Sequence, residues 1–483
     1  MFGKLFSRFN QKSPKLFVIG LDCAPPEQLF DEFGDDLIPN LRRLMQRGSY
    51  REMYSSIPAI TVPAWSSMTS SRDPGSMGFY GFRNRRDHSY DNRFIANGVA
   101  VKNKRVWELL DEVGKKSIIV GVPQTYPVKP LKHGHVVSSF LTPSTTNPRI
   151  TWTHPAELRD EINGLLAPEA YDVDIPQFRT NDKEFFLKQL YDMSRKRYKV
   201  LRYLLDKKAW DFFMFVEMGT DRLNHAMWAY HDTSHRKHDP DSPYIDAIRD
   251  YYKYLDGEIG TLLERLPAET HVIVVSDHGA KKMDGGICIN EWLVRKGYLV
   301  LKNDPPVGAI STLEKLEVDW AKTTVWGDGG YYARIFMNVE GREPEGAIPA
   351  ADYETFRDKL IADLKSIPAP DGSPLDTRCF KPEETYQMVN GVAPDVLVYL
   401  DNLGWRSVGS FGHEGIYTFE NDTGPDDANH AENGVWVYSP PADVDPLSGQ
   451  KLANIQLMDF APTVLDLMGV DIPADMQGSI IEK

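Results

Sequence analysis

The sequence predicts an α/β fold with a doubly wound, mostly parallel central sheet, flanked by helices and interrupted by inserted cap regions. Three observations favour this fold: apolar, β-rich runs recur along the chain, helical patterns separate them, and most runs are continuous rather than alternating. Continuous apolar runs are typical of strands that are buried on both faces. Regular alternation of strands and helices is typical of a parallel sheet with right-handed crossovers.

The predicted elements follow from these patterns in chain order. Strands are predicted at residues 16–22, 117–123, 136–140, 211–218, 271–279, 395–400 and 434–440. Apolar residues at helical spacing predict helices at residues 26–34, 39–48, 104–116, 185–208 and 248–267. Most of these helices lie between two predicted strands, as a parallel sheet requires.

Composition divides the chain into four parts. Residues 1–14 form a basic tail, and residues 15–279 form the α/β core, with a loop insertion near 79–100. Residues 280–394 are richer in proline, glycine and charge, so we predict a cap or insertion there. Residues 395–483 complete the core.

The net charge limits the possible binding partners, and the cysteine content indicates the cellular compartment. The chain has 483 residues and a formal net charge of −14, which argues against a nucleic-acid polymer as the partner. Its three cysteines are far apart and odd in number, so no disulfide framework is implied and a reducing, cytoplasmic compartment fits best.

Membrane association is predicted only at the N-terminus. No apolar run approaches the ~20 residues of a spanning helix, and no signal peptide is recognisable. Residues 1–12 place phenylalanine and leucine at helical spacing between basic residues, which allows either a weak peripheral membrane contact or a frayed basic tail. The oligomeric state stays open.

Acidic and histidine side chains follow several of the predicted strands. They are Asp22, Asp221, His225, Asp277, His278 and, just before the last predicted strand, His430. Each alone has a plainer explanation, since an Asp at a strand end is usually a helix cap or a turn residue. Together they fall at one sheet edge, where open α/β folds bind ligands.

This set has the composition of a two-metal site. Asp221 and His225 are four residues apart, so they share one face of a helix. Three carboxylates and three imidazoles suit two transition metals, zinc first and manganese as the alternative. We expect one metal at Asp22, Asp277 and His278, with the Thr61 oxygen as a further ligand, and a second metal at Asp221, His225 and His430.

Thr61 lies in the stretch "IPAITVPAWSSMTSS", between two prolines and before a segment rich in small and hydroxyl residues. Alone, it is most often a β-branched strand residue. At the same edge as the metal ligands, its hydroxyl would be activated by coordination and act as a nucleophile. Two metals can stabilise the attacking and the leaving oxygen of a displacement at phosphorus.

Substrate contacts are predicted in three places. The first is the aromatic and basic stretch 78–94, where Phe82 would line an apolar pocket and three arginines would pair with phosphate oxygens. Those arginines are Arg83, Arg85 and Arg86. The alternative is a solvated charged loop. Trp65, near Thr61, and His413, in "FGHEG", are the other two candidates, and a loop role is the alternative for His413.

Several motifs resemble one known superfamily. They are "VIGLDCAPPEQL", "SIPAITVPAWSSMTS", "FVEMGTDRLNHAMW", "VVSDHGA" and "NHAENGVWVYSP". In order and spacing the chain resembles the alkaline phosphatase superfamily, and within it the type I phosphodiesterase / nucleotide pyrophosphatase branch, including the bacterial alkaline phosphatase-like phosphohydrolases and phosphomutases. The resemblance implies a two-metal phosphoester hydrolase in which Thr61 is transiently phosphorylated.

The resemblance implies the same ligand positions for both metals and a phosphodiesterase activity on a small-molecule or lipid- or glycan-linked phosphoester. The alternatives are a phosphomonoesterase, a phosphoryl or phosphoalkyl transferase, or a non-catalytic binding protein stabilised by metal. The sequence departs at two positions from patterns seen in this superfamily, which weakens the nucleotide pyrophosphatase and sulfatase interpretations. Ala64 stands where nucleotide pyrophosphatases have an asparagine, and "TVPAW" replaces the sulfatase motif.

Overall fold

A computed structural model describes residues 14–482. The membrane contact predicted for residues 1–12 lies outside the described residues, as does all but the last residue of the predicted tail. Within the described part, none of the helices combines the length and apolar composition needed to cross a membrane.

The described residues contain twenty strands in five sheets. In chain order they are β1 (Lys15–Leu21), β2 (Ser49–Tyr54), β3 (Arg83–Arg85), β4 (Arg93–Ile95), β5 (Ser117–Val120), β6 (Gly134–Val137), β7 (Thr153–His154), β8 (Phe212–Glu217), β9 (Thr270–Val275), β10 (Gly279–Lys282), β11 (Gly285–Cys288), β12 (Val325–Asp328), β13 (Ala333–Met337), β14 (Arg378–Phe380), β15 (Val396–Tyr399), β16 (Trp405–Val408), β17 (Tyr417–Thr418), β18 (Ala428–Ala431), β19 (Asn433–Ser439) and β20 (Ile455–Gln456).

Helices connect most of these strands. The α-helices of the described residues are α1 (Pro39–Arg47), α2 (Thr61–Ser70), α3 (Pro74–Met77), α4 (Val106–Glu112), α5 (Leu158–Leu166), α6 (Lys183–Lys207), α7 (Gly219–His231), α8 (Ala247–Leu263), α9 (Ile289–Arg295), α10 (Tyr353–Lys365), α11 (Pro382–Thr385) and α12 (Phe460–Leu467). The predicted helix at 26–34 is a π-helix over Glu27–Glu32.

The central sheet has nine strands in the order β20-β2-β19-β9-β1-β8-β5-β6-β7. β1 pairs in parallel with β8 and β9, and β5 pairs in parallel with β8 and β6. One face packs against α1, α5, α6, α7 and α8, and the other against α2, α4 and α12. The predicted doubly wound, mostly parallel sheet is therefore confirmed.

A second, smaller body carries its own core. It contains the four-stranded sheet β12-β13-β15-β14 and the three-stranded sheet β16-β11-β17. The sequence predicts a central-sheet strand at 395–400, but β15 pairs with β13 and β14 instead. A continuous apolar run shows that a strand is covered on both faces and does not show which sheet it joins. The predicted domain limits at 280 and 394 stay a prediction.

Candidate metal centre

The predicted ligands meet at the carboxyl edge of the central strands. Asp22 directly follows β1, Asp277 and His278 follow β9, and Asp221 lies in the first turn of α7, which follows β8. His430 arrives from the other direction, on the antiparallel pair β10–β18. Because β1, β8 and β9 are adjacent and parallel, their carboxyl ends bring these side chains together.

The first ligand group consists of Asp22, Asp277 and His278, whose ligand atoms lie within 4.8 Å of one another. His278 Nε2 is 3.2 Å from Asp277 Oδ2 and 4.0 Å from Asp22 Oδ1. The Thr61 hydroxyl oxygen, on the first residue of α2, lies 3.4 Å from the same nitrogen. The Thr61 side chain thus lies beside this group.

The second ligand group consists of Asp221, His225 and His430. His225 Nε2 is 3.2 Å from His430 Nε2 and 3.3 Å from Asp221 Oδ1, and His430 Nε2 is 3.8 Å from that oxygen. Ligands about 2.0 Å from a tetrahedral metal are about 3.3 Å apart, so these spacings suit one ion.

The three imidazoles all present Nε2 to the centre. His278 Nδ1 lies 3.1 Å from the carbonyl oxygen of Gly279, and His430 Nδ1 lies 2.9 Å from that of Ala59. His225 Nδ1 lies 2.8 Å from Asp426 Oδ1. Since these oxygens can only accept, each Nδ1 donates its hydrogen, and each Nε2 keeps a lone pair for a metal.

The electrostatics of the centre fit bound cations. Asp22 Oδ1 and Asp277 Oδ2 are buried without a hydrogen-bond partner among the described residues. Burial, and then the charge of Asp221, raises the pKa of Asp22, while burial and the charge of Asp22 raise the pKa of Asp277. Burial lowers the pKa of His278 to about 4. Divalent cations would pair the carboxylates and occupy the free nitrogen lone pairs, so the donor set fits two such ions.

Sequence reasoning missed Cys23 as a member of the centre. Its sulfur belongs to the same spatial group as the ligand atoms of Asp221, His225 and His430. The thiol also lies 3.3 Å from the Gly279 carbonyl oxygen, to which it donates. Its position directly after Asp22 was the available signal.

Asp426 was also missed, although it stands only four residues before His430. It is buried, and it accepts from His225 Nδ1 through one oxygen and from Tyr331 at 3.0 Å through the other. Arg179 lies 3.3 Å from the same second oxygen. Asp426 therefore fixes the ring orientation of His225, as carboxylates behind metal-binding histidines do.

We expect Asp426→Asn to weaken divalent-metal binding by about 10- to 100-fold, because the charge that holds His225 is lost. Competition with a chromophoric chelator measures this affinity. Asp427→Asn is the matched control, since Asp427 is also buried and pairs with Lys237 instead. Equal metal affinities of the two variants would contradict this role for Asp426.

A pocket of about 440 Å³ opens onto the centre, and Thr61, Asp221, His225 and His430 line it. Phe82 and Arg83 from the predicted substrate stretch also line it, together with Phe140, Phe178 and Tyr331. The pocket therefore combines the candidate nucleophile, three candidate ligands, and a wall of aromatic and arginine side chains.

The other predicted substrate residues lie elsewhere. Arg85 is buried against Glu343, at 3.2 Å, and Arg86 lines a separate surface groove beside Phe94. His413 contacts the Ser410 hydroxyl at 2.9 Å in a loop outside the pocket.

Trp65 also differs from its prediction as a substrate contact. It is buried within α2 and donates from its indole nitrogen to Asp22 Oδ2 at 2.6 Å. It faces the core because the apolar side of α2 packs on the central sheet. Its position supports the carboxylate of the first ligand group, since it fixes one of the two oxygens of Asp22.

Comparison with solved structures gives the same fold. Human ectonucleotide pyrophosphatase/phosphodiesterase 5 superposes with a TM-score of 0.55 at 13% identity, covering 96% of this chain and 97% of that chain. The murine protein of that name, solved as an inactive threonine-to-alanine variant in complex with AMP, gives 0.54 at 13% identity, covering 95% and 96%. No curated protein sequence matches the chain.

The sequence profile of one family matches most of the chain, from residue 16 to residue 426. The match runs from the second residue of β1 to beyond β17 and includes all the candidate residues of the centre except His430, which lies four residues beyond its end. The chain therefore belongs to the type I phosphodiesterase / nucleotide pyrophosphatase family, whose members are phosphoester-cleaving enzymes.

Proposed function

We propose that the chain is a two-metal phosphodiesterase that acts through a phosphorylated Thr61 intermediate. The observation that carries this proposal is the place of the Thr61 hydroxyl, in the pocket wall and 3.4 Å from His278 Nε2. The first ligand group would hold one divalent cation and the second group the other, zinc first and manganese as the alternative. The bound cations would lower the pKa of the Thr61 hydroxyl and offset negative charge on the attacking and leaving oxygens.

The residues of the chain account for the remaining steps. Thr61 Oγ1 loses its proton to solvent and forms a bond to phosphorus, while the bond from phosphorus to the leaving oxygen breaks and that oxygen keeps the electron pair. A water molecule then attacks phosphorus, gives up a proton, and the bond to Thr61 Oγ1 breaks. Thr61 regains its proton, and the product is a phosphomonoester.

Residues behind the centre support this sequence of steps. Asp22 is held by the Trp65 indole and His225 by Asp426, so their ligand atoms keep their direction through both steps. The family's asparagine after the nucleophile is replaced by Ala64 here, so other groups must stabilise the charge on the phosphoryl oxygens. Arg179 and Arg222 line the pocket beside the second ligand group and are the candidates for this role.

Hydrolysis of bis-p-nitrophenyl phosphate, compared with p-nitrophenyl phosphate, tests the reaction class. We expect the diester to have the higher kcat/KM, in protein whose metal content is measured by elemental analysis. Faster hydrolysis of the monoester would contradict the diesterase assignment and favour a phosphomonoesterase or mutase-like transferase. No turnover of either ester or of a nucleotide diester, with both metals bound, would contradict the proposed activity.

A further inference from the structure

The pocket that contains Thr61 is unusually rich in arginine for a chain with a net charge of −14. Five arginines line it, and four of them are paired with buried or half-buried carboxylates. Arg179, Arg222 and Arg334 pair with Asp426, Asp174 and Asp328 at 3.3, 2.6 and 3.4 Å. Arg406 pairs with Asp422 through one nitrogen only, and Arg83 has no carboxylate partner among the described residues.

Arg406, on β16, is only 5% exposed. One of its nitrogens lies 3.4 Å from Asp422, whereas Nε and Nη1 are buried without a hydrogen-bond partner among residues 14–482. Leaving a buried guanidinium donor unpaired costs free energy of folding. Because Arg406 also lines the pocket, an acceptor on a bound ligand is one partner that would satisfy these donors.

Arg83 lines the same pocket and is exposed. Over the described part of the chain, no carboxylate lies within ion-pair distance of its guanidinium, although its carbonyl oxygen accepts from Arg334. Its side-chain donors are therefore available to a ligand that enters the pocket.

The remaining wall suits a flat apolar group. Phe82 and Phe140 lie with ring centroids 5.8 Å apart, and Phe178 and Tyr331 line the same space. The Arg406 guanidinium lies 5.8 Å from the centre of the Tyr331 ring. A ring in this pocket would therefore be close to aromatic faces and to a guanidinium with free donors.

We propose that the substrate carries a second oxyanion, a carboxylate or a further phosphate, on a ring-bearing substituent, and that Arg406 and Arg83 bind it. This inference rests on the proposed function, which puts the scissile phosphate at Thr61. Guanidinium groups bind both oxyanions through paired hydrogen bonds, and the free donors of Arg406 match that need.

Three synthetic diesters test the proposal: p-nitrophenyl benzyl phosphate and its 4-carboxybenzyl and 4-phosphonobenzyl analogues. All three release p-nitrophenolate and differ only in the para substituent of the second ring, which is hydrogen, carboxylate or phosphonate. We expect the protein to favour an anionic ester over the neutral ester by about 10- to 100-fold in kcat/KM. The better of the two anionic esters identifies the oxyanion.

Arginine variants then show which side chains cause the preference for the anionic esters. Arg406→Gln and Arg83→Gln should each lower the anionic-to-neutral ratio of kcat/KM by about tenfold or more. Arg43→Gln is the matched control, because Arg43 is an exposed arginine on α1, outside this pocket, and should keep the ratio. Since Arg83 is exposed, its variant remains informative if Arg406→Gln fails to fold.

A binding measurement separates this inference from the proposed function. Calorimetry on the same proteins compares benzyl phosphate with 4-carboxybenzyl phosphate and 4-phosphonobenzyl phosphate. Tighter binding of an anionic compound, lost in Arg83→Gln, would support the inference even if no ester is hydrolysed, in which case only the activity fails. Equal binding of all three compounds, or an unchanged preference in both arginine variants, would overturn the inference.

Discussion

Thr61→Ala is expected to lower phosphodiester turnover by at least about 10³-fold, because the atom that bonds to phosphorus is removed. The metal content of the variant should stay near that of the wild type, since the six Asp and His ligands remain. The loss should appear in kcat, measured with bis-p-nitrophenyl phosphate at saturating substrate. Rapid quench of the wild type should trap an adduct on the peptide that contains Thr61, and mass spectrometry detects it.

Two control variants separate chemistry from packing. Thr69→Ala removes a buried hydroxyl from the same helix, where Thr69 donates to the Trp65 carbonyl at 2.7 Å. It should cost about 1 kcal/mol of stability and leave turnover nearly unchanged. Thr61→Ser keeps a hydroxyl and should retain much of the activity. Undiminished turnover in Thr61→Ala with metal bound would disprove the covalent mechanism.

The central sheet and the candidate ligand positions could be predicted from the sequence. Buried parallel strands read as continuous apolar runs, so β1, β8 and β9 were recognisable without a structure. The side chains after such strands share one edge, which is why the Asp and His residues there could be assigned to one centre. In the structure the candidate ligand atoms of each of the two groups lie within 4.8 Å of one another, and their role as metal ligands stays a prediction.

Contacts between residues that are far apart in the chain could not be predicted from the sequence. Arg83 and Arg85 are two residues apart on β3, so the strand period places both side chains on one face. The sequence therefore does not show that only one of them reaches the pocket. The structure puts Arg83 in the pocket and Arg85 against Glu343, which is 258 residues away in the chain. The roles inferred for Asp426 and Arg406 depend on contacts that form only in the folded structure, with His225 and with Tyr331.

β2 shows a further limit of pattern reasoning. Its sequence, SYREMY, contains no continuous apolar run, although burial alternates along it, and it was not predicted as a strand. It lies near the sheet edge, between β19 and β20, where one face is less covered. Thr61 follows this strand, so the place of the proposed nucleophile at the carboxyl edge depends on an element that a search for continuous apolar runs overlooks.

Removal of divalent metal by a chelator is expected to abolish turnover and to destabilise the fold. At a free metal concentration 100 times the dissociation constant, each bound ion adds about 3 kcal/mol to the free energy of unfolding. Differential scanning calorimetry, with and without chelator, measures the loss. Restoring zinc or manganese should restore both activity and melting temperature, and the ion that does so at the lower concentration identifies the preferred metal.

The pH dependence of the metal-free protein follows from the first ligand group. Burial raises the pKa of Asp22 and of Asp277 above the ordinary value of 3.8. As the pH rises through 3.8, the unfolded chain loses these protons while the folded protein keeps them. The unfolded state then binds fewer protons, so stability falls with rising pH across this window. Bound metal removes the effect, because the carboxylates are paired when charged.

Asp22→Asn should therefore stabilise the metal-free protein and destabilise the metal-bound protein. Without metal, the variant should melt at a higher temperature than the wild type at pH 8, because a buried unpaired carboxylate becomes neutral. The amide oxygen can still accept from Trp65. With metal, the variant should melt lower and bind metal more than about 100-fold more weakly, because a ligand of the ion is lost.

Asp256→Asn is the control for this reversal. Asp256 is also buried, but its carboxylate accepts from the backbone amides of Asn40 and Leu41 at 3.0 and 2.8 Å, and none of these residues lines the pocket that opens onto the centre. Its replacement should change the melting temperature by a similar amount with and without metal. If Asp22→Asn behaved in the same metal-independent way, Asp22 would be a structural carboxylate, and the first ligand group would not hold an ion.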